Sequence, residues 1–151
     1  MRETVNLGKK LERKDFVISA PTGLSPVKAK VIGVIENQAP TKALEFDLPV
    51  EQGEVQLVGD VCHLSLVERH RGTGAVVNGF VSGFGYTGSM AIASSVAHDS
   101  HHMIVVGTNQ GMMASAANRL GEVGGGVSVW KDGAEVALVE LPIAGLMSDS
   151  K

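Results

Sequence analysis

The chain has 151 residues and a mass of 15.7 kDa, which suits one ordinary domain and excludes a (β/α)₈ barrel of about 250 residues. Apolar residues make up 44% and charged residues 19% of the sequence, so the chain can bury a core and is not a disordered segment. Thirteen basic against sixteen acidic residues give a net charge of −3, which argues against a nucleic-acid binder held by phosphate contacts.

The N-terminal residues carry charges in place of the apolar stretch of a signal peptide. Residues 1–14 contain four clustered basic side chains, Lys9, Lys10, Arg13 and Lys14. No apolar run elsewhere approaches the roughly 20 residues of a membrane span. We therefore expect a charged, solvated lead-in at 1–14, a single domain at 15–151, and a cytoplasmic protein that does not bind membranes.

Strand patterns follow in chain order. Runs of β-branched or alternating apolar residues predict strands at 16–18, 27–35, 44–50, 55–70 (bent near 59–60), 76–81 and 102–107. Residues 127–130 and 135–141 predict a hairpin around Asp132 and Gly133, because an Asp-Gly pair favours the positive φ of tight turns.

One helix is predicted after the strand at 102–107. Its apolar stripe, at helical spacing, consists of Met113, Ala116, Ala117 and Leu120. Thr108 or Asn109 can cap its N-terminus, and Gly121 or Gly124 can end it in the left-handed conformation. The predicted fold class is therefore α+β, a domain rich in mixed or antiparallel β-sheet with one or two packed helices.

The strand at 55–70 leads into polar residues. If the chain is extended, one face of it carries Cys62, Leu64, Leu66, Glu68 and His70. Because Cys62 shares that face with two leucines, we predict a buried structural thiol and not a Cys–His nucleophile. Glu68 and His70 lie where the apolar face ends, which is typical either of a ligand site or of a salt-bridged strand terminus.

Three of the five histidines fall in the segment His98-Asp99-Ser100-His101-His102. On a helix, His98, His101 and His102 would share a face, and two of them could bind a metal. On a strand, His98, Ser100 and His102 would point away from Asp99 and His101. A strand end with imidazoles and a carboxylate can act in general acid–base catalysis, and the alternative is a set of ordinary surface or hydrogen-bonded histidines.

The segment Gly83-Phe84-Gly85-Tyr86-Thr87-Gly88 has the GxGxxG spacing of dinucleotide-binding loops. That motif needs a helix at the third glycine and an acidic residue about 20 positions later. Residues 89–95 make a poor amphipathic helix and Asp99 comes too early, so we predict a glycine-rich turn. The chain also lacks HExxH, HxH and the HxE and PCxxC pattern of zinc-dependent cytidine deaminases.

Four strings of the sequence resemble a known family. They are LVERHRGTG at 66–74, GFVSGFG at 79–85, AIASSVAHDSH at 91–101 and LPIAGLMSD at 141–149. In this order they resemble the C-terminal domain of bacterial adenine deaminase, over about residues 27–149. One position departs from the pattern, since His102 stands where that family's motif leads us to expect asparagine.

The resemblance implies a parent hydrolase of the amidohydrolase superfamily, which converts adenine to hypoxanthine and ammonia in purine salvage. It implies that the parent holds divalent metal ions, manganese or iron, in a (β/α)₈ barrel through an HxH pair, further histidines and carboxylates. This chain has neither the HxH pair nor room for the barrel, so we assign no metal ligand or cofactor-binding residue in it. The implied partners are that barrel and further copies in a homo-oligomer.

The two polar clusters allow more than one role. In the first, the clusters line or brace the mouth of the parent's active site, because buried polar groups need partners. The residues concerned are Glu68, Arg69, His70, His98, Asp99, Ser100 and His101. In the second, the domain is purely structural and packs on the barrel or on a sister subunit. A third is an independent ligand- or metal-binding domain. We expect the clusters to lie close together, and the isolated chain to be inactive because the metal ligands are missing.

Overall fold

A computed structural model describes residues 2–21 and 23–150, and its main element is an eight-stranded sheet. The strands are β1 (Val27–Gly33), β2 (Lys42–Leu48), β3 (Val50–Glu51), β4 (Glu54–Val55), β5 (Cys62–Val67), β6 (Val76–Ser82), β7 (Met90–Ser94), β8 (Met103–Gly107), β9 (Gly126–Lys131) and β10 (Ala134–Glu140). The large sheet has the order β10-β9-β7-β8-β5-β6-β1-β2, and β3 pairs with β4 separately. Only β1 and β6 pair in parallel within the described sheet, so the predicted mixed α+β class is confirmed.

One α-helix, α1 (Gln110–Val123), packs across β7, β8 and β9 of the described chain. The Asn109 side chain accepts a hydrogen bond from the Met112 backbone N–H at 3.0 Å, and Gly124 ends the helix with φ 85°. All four residues of the predicted apolar stripe are fully buried. The predicted helix is confirmed, with Asn109 as its cap and Gly124 as its end. No helix in the described residues is both long and apolar enough to cross a membrane.

The N-terminal segment covers the helix side of the sheet. Its basic side chains are exposed as expected, but Leu7 and Leu11 are only 8% and 2% exposed and belong to the core around α1. The Asn118 side chain fixes this segment by bonding both the N–H and the C=O of Leu11, at 2.9 and 2.8 Å. The lead-in is therefore not solvated throughout, because Leu7 and Leu11 supply part of the cover that α1 requires.

Two predicted strands differ from the structure. Phe16 ends a short 3₁₀ helix (Arg13–Phe16) and is fully buried, so the strand predicted at 16–18 is wrong. The reason is that a three-residue apolar run cannot distinguish a strand from a helical turn. The strand predicted at 55–70 is interrupted at the expected bend near 59–60, which separates the small β3–β4 hairpin from β5.

The two faces of the large sheet have different surroundings. The odd-numbered residues of β5 (His63, Ser65 and Val67) are buried beneath α1, the N-terminal segment and the β3–β4 hairpin. On the opposite face Leu66 is exposed and Leu64 is half-buried. We call this second surface the open face; its central groove is lined by Ile32, Leu64, Leu66, Val77, Gly79 and Ile104.

The glycine-rich segment 83–88 is a loop. Gly83, Gly85 and Gly88 all have positive φ, and strand β7 follows in place of a helix, so the predicted glycine-rich turn is confirmed. Tyr86 packs with Cys62 in a small apolar cluster at one end of the open face. The predicted buried thiol is also confirmed, and burial raises the pKa of Cys62.

The last two strands form the predicted hairpin. β9 and β10 pair antiparallel, and their turn contains Asp132 with φ 50° and Gly133 with φ 83°. Both residues therefore have the positive φ that a two-residue hairpin turn requires. This hairpin forms one edge of the sheet, and its Gly126 end reaches the region where the polar clusters lie.

Candidate functional site

The two polar clusters meet at one end of the sheet. β5 and β8 are antiparallel neighbours with Val67 opposite Met103, so the residues after β5 lie beside those before β8. His70 Nε2 is 3.4 Å from the Ser100 carbonyl oxygen, and the rings of His70 and His102 are 4.9 Å apart between centroids. The predicted convergence is confirmed. We call residues 95–102 the histidine loop and this end of the sheet the histidine end.

Glu68 organises the loop that follows β5. Its carboxylate accepts hydrogen bonds from the backbone N–H groups of His70 at 2.6 Å, Arg71 at 2.8 Å and Thr73 at 3.1 Å, and from the Thr73 hydroxyl at 3.1 Å. Burial would raise the pKa of Glu68, but these donors outweigh burial and lower it to about 2. Glu68 is therefore an ionised carboxylate whose hydrogen-bonding capacity is used by its own loop.

Arg69 is enclosed in the domain and is only 1% exposed. Its guanidinium donates to the carbonyl oxygens of His101, Ser95 and Ala144, the last two at 3.4 and 3.2 Å. Burial lowers the pKa of Arg69, and no carboxylate of the described chain pairs with it. Arg69 thus ties β5, the histidine loop and the C-terminal residues together.

Ser95 is a buried junction that the sequence analysis did not select. Its hydroxyl donates to the Gly145 carbonyl at 2.6 Å and accepts from the Gly126 N–H at 2.7 Å, and its own N–H donates to the Gly126 carbonyl at 2.9 Å. Serine gives no signal of this role by composition or spacing. The only pointer was its place in the string at 91–101, three residues before His98.

The histidine loop is neither of the two structures considered from spacing. Residues 95–102 contain no helix or strand, and both Asp99 (φ 66°) and His101 (φ 50°) have positive φ. Two left-handed non-glycine residues so close together are uncommon and store conformational strain. The His98 and Asp99 side chains pair at 2.9 Å and are 96% and 91% exposed. The loop therefore holds a strained backbone whose imidazole and carboxylate face solvent.

His102, the residue that departs from the family pattern, lies beneath His70. Its Nδ1 atom is buried and has no hydrogen-bond partner in the described chain. The histidines do not gather around a single point, since no three His, Cys, Asp or Glu side chains of the described residues form a possible metal-binding group. The residues present therefore do not fit the divalent metal that the resemblance implies for the parent.

A buried histidine, His63, was not selected from the sequence. It lies between Phe80 and the start of α1, where the Gln110 amide donates to its Nε2 at 3.0 Å. Burial, assisted by the nearby Arg13 charge and opposed by Glu54, lowers the pKa of His63 to about 4. His63 is therefore neutral in the folded domain at neutral pH, and its position on the covered side of β5 is what the sequence did not indicate.

We expect the domain to lose stability between pH 7 and pH 5 because of His63. The unfolded chain takes up a proton near pH 6.5, whereas the folded chain does so only near pH 4, so stability rises with pH across this window. The expected loss is about 2 kcal/mol at pH 5 relative to pH 7. Urea unfolding at both pH values measures it. In the variant His63→Gln the difference should largely disappear, and an unchanged difference would contradict this assignment.

The comparisons with known proteins agree with the resemblance of the four strings. The family described as "Adenine deaminase C-terminal domain" matches residues 38–151. An adenine deaminase of Roseobacter denitrificans is 69% identical over 98% of this chain, and one of Ruegeria pomeroyi is 66% identical over 99%. A more distant adenine deaminase, of Moorella thermoacetica, is 44% identical over 99%. The chain spans about a quarter of the length of these curated relatives.

The mixed sheet with one covering helix and a polar loop end defines a small α+β domain. The chain belongs to the adenine deaminase C-terminal domain family.

Proposed function

We propose that this chain serves as the C-terminal domain of an adenine deaminase, an enzyme that hydrolyses adenine to hypoxanthine and ammonia in purine salvage. We propose further that its histidine end faces the catalytic part and braces the mouth of the active site. In this proposal the catalytic part is a (β/α)₈ barrel that supplies the divalent metal, manganese or iron. A cytoplasmic location and a homo-oligomeric assembly are part of the same proposal.

The observation that carries the site proposal is the construction of the histidine loop. His98 and Asp99 are almost fully exposed on a backbone with two strained residues, and buried Arg69 supports that backbone from below. Exposed loops of ordinary surface do not need such support, and strained backbone persists only where the surroundings over-determine it. A strained, rigidly held loop with exposed imidazoles is typical of a surface that makes specific contacts.

The position of the N-terminal segment supports the same orientation. The Asn6 N–H donates to the Arg69 carbonyl at 2.8 Å, and Arg2 forms an ion pair with Asp149. Residues 2–6 therefore run along the histidine end. We propose that the catalytic part lies on this side of the domain.

We expect His98→Ala and His101→Ala in a full-length adenine deaminase containing this domain to lower kcat/KM at least about tenfold while leaving Tm nearly unchanged. The histidine side chains bury little surface, and a net hydrogen bond contributes only about 1 kcal/mol. The control is Val105→Ala, which truncates a fully buried residue and should cost about 2–3 kcal/mol of stability. Kinetics, thermal melting and sedimentation of the same variants provide the measurements.

The alternative role predicts a different outcome for these variants. If the histidine loop were only an interface, His98→Ala and His101→Ala would weaken the oligomer or the docking of the domain, and activity would fall only as stability falls. Unchanged kinetics with a weakened assembly would contradict the proposed role at the active-site mouth.

The purified 151-residue chain is expected to fold but to form no hypoxanthine from adenine, with or without added Mn²⁺. The reason is that its described residues do not converge into a metal-binding group, and metal-activated water is the nucleophile that this hydrolysis requires. Liquid chromatography of adenine and hypoxanthine measures the outcome. Robust Mn²⁺-dependent turnover by this chain, removed by a chelator, would contradict the prediction.

A further inference from the structure

The C-terminal residues form a closed turn beside the histidine loop. Ile143 and Met147 exchange backbone hydrogen bonds in both directions, each at 3.1 Å. We call residues 143–147 the C-terminal turn. Two of its residues, Ala144 (φ 58°) and Gly145 (φ 70°), have the left-handed backbone conformation. Their carbonyl groups accept hydrogen bonds from buried side chains of other parts of the chain.

Ser95 joins the C-terminal turn to the first residue of the histidine loop. Its hydroxyl donates to the Gly145 carbonyl at 2.6 Å. Arg69 Nη2 adds a second link, because it donates to the Ser95 carbonyl at 3.4 Å and to the Ala144 carbonyl at 3.2 Å. The loop therefore begins at a residue that is bound to the turn both directly and through Arg69.

The turn and Ser95 are packed in direct contact. A Cβ at Gly145 would lie 2.9 Å from Arg69 Nη1 and 3.2 Å from Ser95 Oγ. A Cβ at Gly125 would lie 2.5 Å from the Gly145 Cα. The Ser95 hydroxyl also accepts from the Gly126 N–H at 2.7 Å, and Ser95 is fully buried. One hydroxyl thus fixes the distance between the loop, the start of β9 and the C-terminal turn.

The rest of the histidine loop is closed by its own backbone. The His101 N–H donates to the Ala97 carbonyl and the Ser100 N–H donates to the His98 carbonyl, both at 2.9 Å. These short-range bonds determine the shape of the loop, whereas its position on the sheet depends on its two ends. At the far end Arg69 donates to the His101 carbonyl. The bonds of the first loop residue provide the corresponding support at the near end.

Burial of a serine does not by itself indicate such a role. Ser128 on β9 is also fully buried, but its hydroxyl accepts from Trp130 Nε1 at 2.9 Å and donates to Glu135 at 3.4 Å. Both of these partners belong to the β9–β10 hairpin, as Ser128 does. Ser95 differs because its partners come from segments that are 31 and 50 residues away in the chain.

We propose that Ser95 is a positioning residue, which holds the histidine loop on the C-terminal turn. In this role it keeps the exposed side chains of His98 and His101 in one place relative to the sheet. A shift of about 1 Å in a positioned group can lower a rate by roughly a hundredfold. The inference rests on the proposed function for the reaction that the loop serves, and it deepens that function by assigning a role to Ser95 and the C-terminal turn.

Hydrogen exchange of the purified 151-residue chain tests the positioning itself. In Ser95→Ala we expect the amides of residues 97–101 to exchange at least about tenfold faster relative to those of β5. The matched control is Ser128→Ala, which removes an equally buried hydroxyl and should leave exchange in the loop unchanged. Ser95→Cys keeps a weak donor and serves as the milder variant if Ser95→Ala does not fold.

Kinetics of a full-length adenine deaminase that contains this domain test the consequence for the reaction. We expect Ser95→Ala to lower kcat/KM about tenfold at a temperature where the variant is fully folded. In a background with His98→Ala and His101→Ala, adding Ser95→Ala should change kcat/KM less than about twofold. A residue that only supported the fold would cause the same loss in both backgrounds.

Two results would overturn the proposal. One is loop exchange that Ser95→Ala leaves unchanged or accelerates no more than Ser128→Ala does. The other is a loss of kcat/KM that is equal with and without the two histidines. Unchanged kinetics of His98→Ala and His101→Ala would instead contradict the proposed function. Exchange decides the positioning role of Ser95 separately, because that measurement needs no activity.

Discussion

The variant Gly126→Ala is expected to lose about 4 kcal/mol or more of its free energy of unfolding. Gly126 has φ 142°, and an added Cβ would lie 1.9 Å from the Val139 carbonyl oxygen and 3.0 Å from its carbon. Both contacts are with backbone, so no side-chain rotation relieves them. Strands β9 and β10 would have to separate, which would disturb the hydrogen bonds between Gly126 and Ser95 at 2.7 and 2.9 Å.

Thermal and urea unfolding of the 151-residue chain measure this effect. A loss of this size corresponds to a fall in Tm of roughly 8 °C or more for a domain of this length. Gly133→Ala is the matched control, since Gly133 also has positive φ (83°) but has open space around its Cβ position. That variant should lose only about 1–2 kcal/mol from the left-handed backbone. Similar melting of the two variants would contradict the explanation by backbone overlap.

The variant Arg69→Met is expected to lose about 3 kcal/mol of stability. It removes the donors to three carbonyl groups from separate parts of the chain, His101, Ser95 and Ala144. Relief from burying a guanidinium offsets part of this loss. We expect the offset to be smaller, because each buried carbonyl left unpaired costs about 1–3 kcal/mol.

Urea unfolding and hydrogen exchange of the histidine loop provide the measurements for Arg69→Met. Exchange at residues 95–102 should become faster than in the rest of the domain, since the guanidinium holds that loop to β5. Arg119→Met is the control, because Arg119 forms its ion pairs with Glu122 and Glu135 on the surface and such pairs contribute about 1 kcal/mol or less. Unchanged stability of Arg69→Met, or unchanged exchange in the loop, would show that Arg69 does not hold the histidine end together.

Local signals predicted the parts of the fold that local physics determines. The stripe from Met113 to Leu120, the Asn109 cap and the terminal Gly124 define α1 within a single stretch of sequence, and the structure contains that helix. The Asp132-Gly133 turn was also predictable from the sequence, because its backbone conformation favours those residue types. In each case the residues that decide the structure are neighbours in the chain.

The buried side of β5 could not be determined in this way. Its even-numbered residues Cys62, Leu64 and Leu66 look like the core face, yet Leu64 is half-buried and Leu66 is exposed, whereas the odd-numbered His63, Ser65 and Val67 are all buried. Alternation along a strand shows which residues share a face. It does not show which face other elements cover when both faces carry apolar residues. The odd-numbered face is covered by α1 and by the N-terminal segment, both of which are distant from β5 in sequence. Its two polar residues, Ser65 and His63, form hydrogen bonds with Asn78 and Gln110.

At the histidine end, too, the sequence predicted some features and the tertiary structure determined the others. The sequence by itself identified the family and its two polar strings, and the pairing of β5 with β8 brings those strings together as expected. Only the tertiary structure decided their roles: Glu68 bonds its own loop, Arg69 is a buried support, and His98 and Asp99 remain exposed. The reason is that the hydrogen-bond partners come from distant segments, among them Ser95, Ala144 and Asn6, which meet only when the sheet has formed. Spacing along the chain does not indicate such partners.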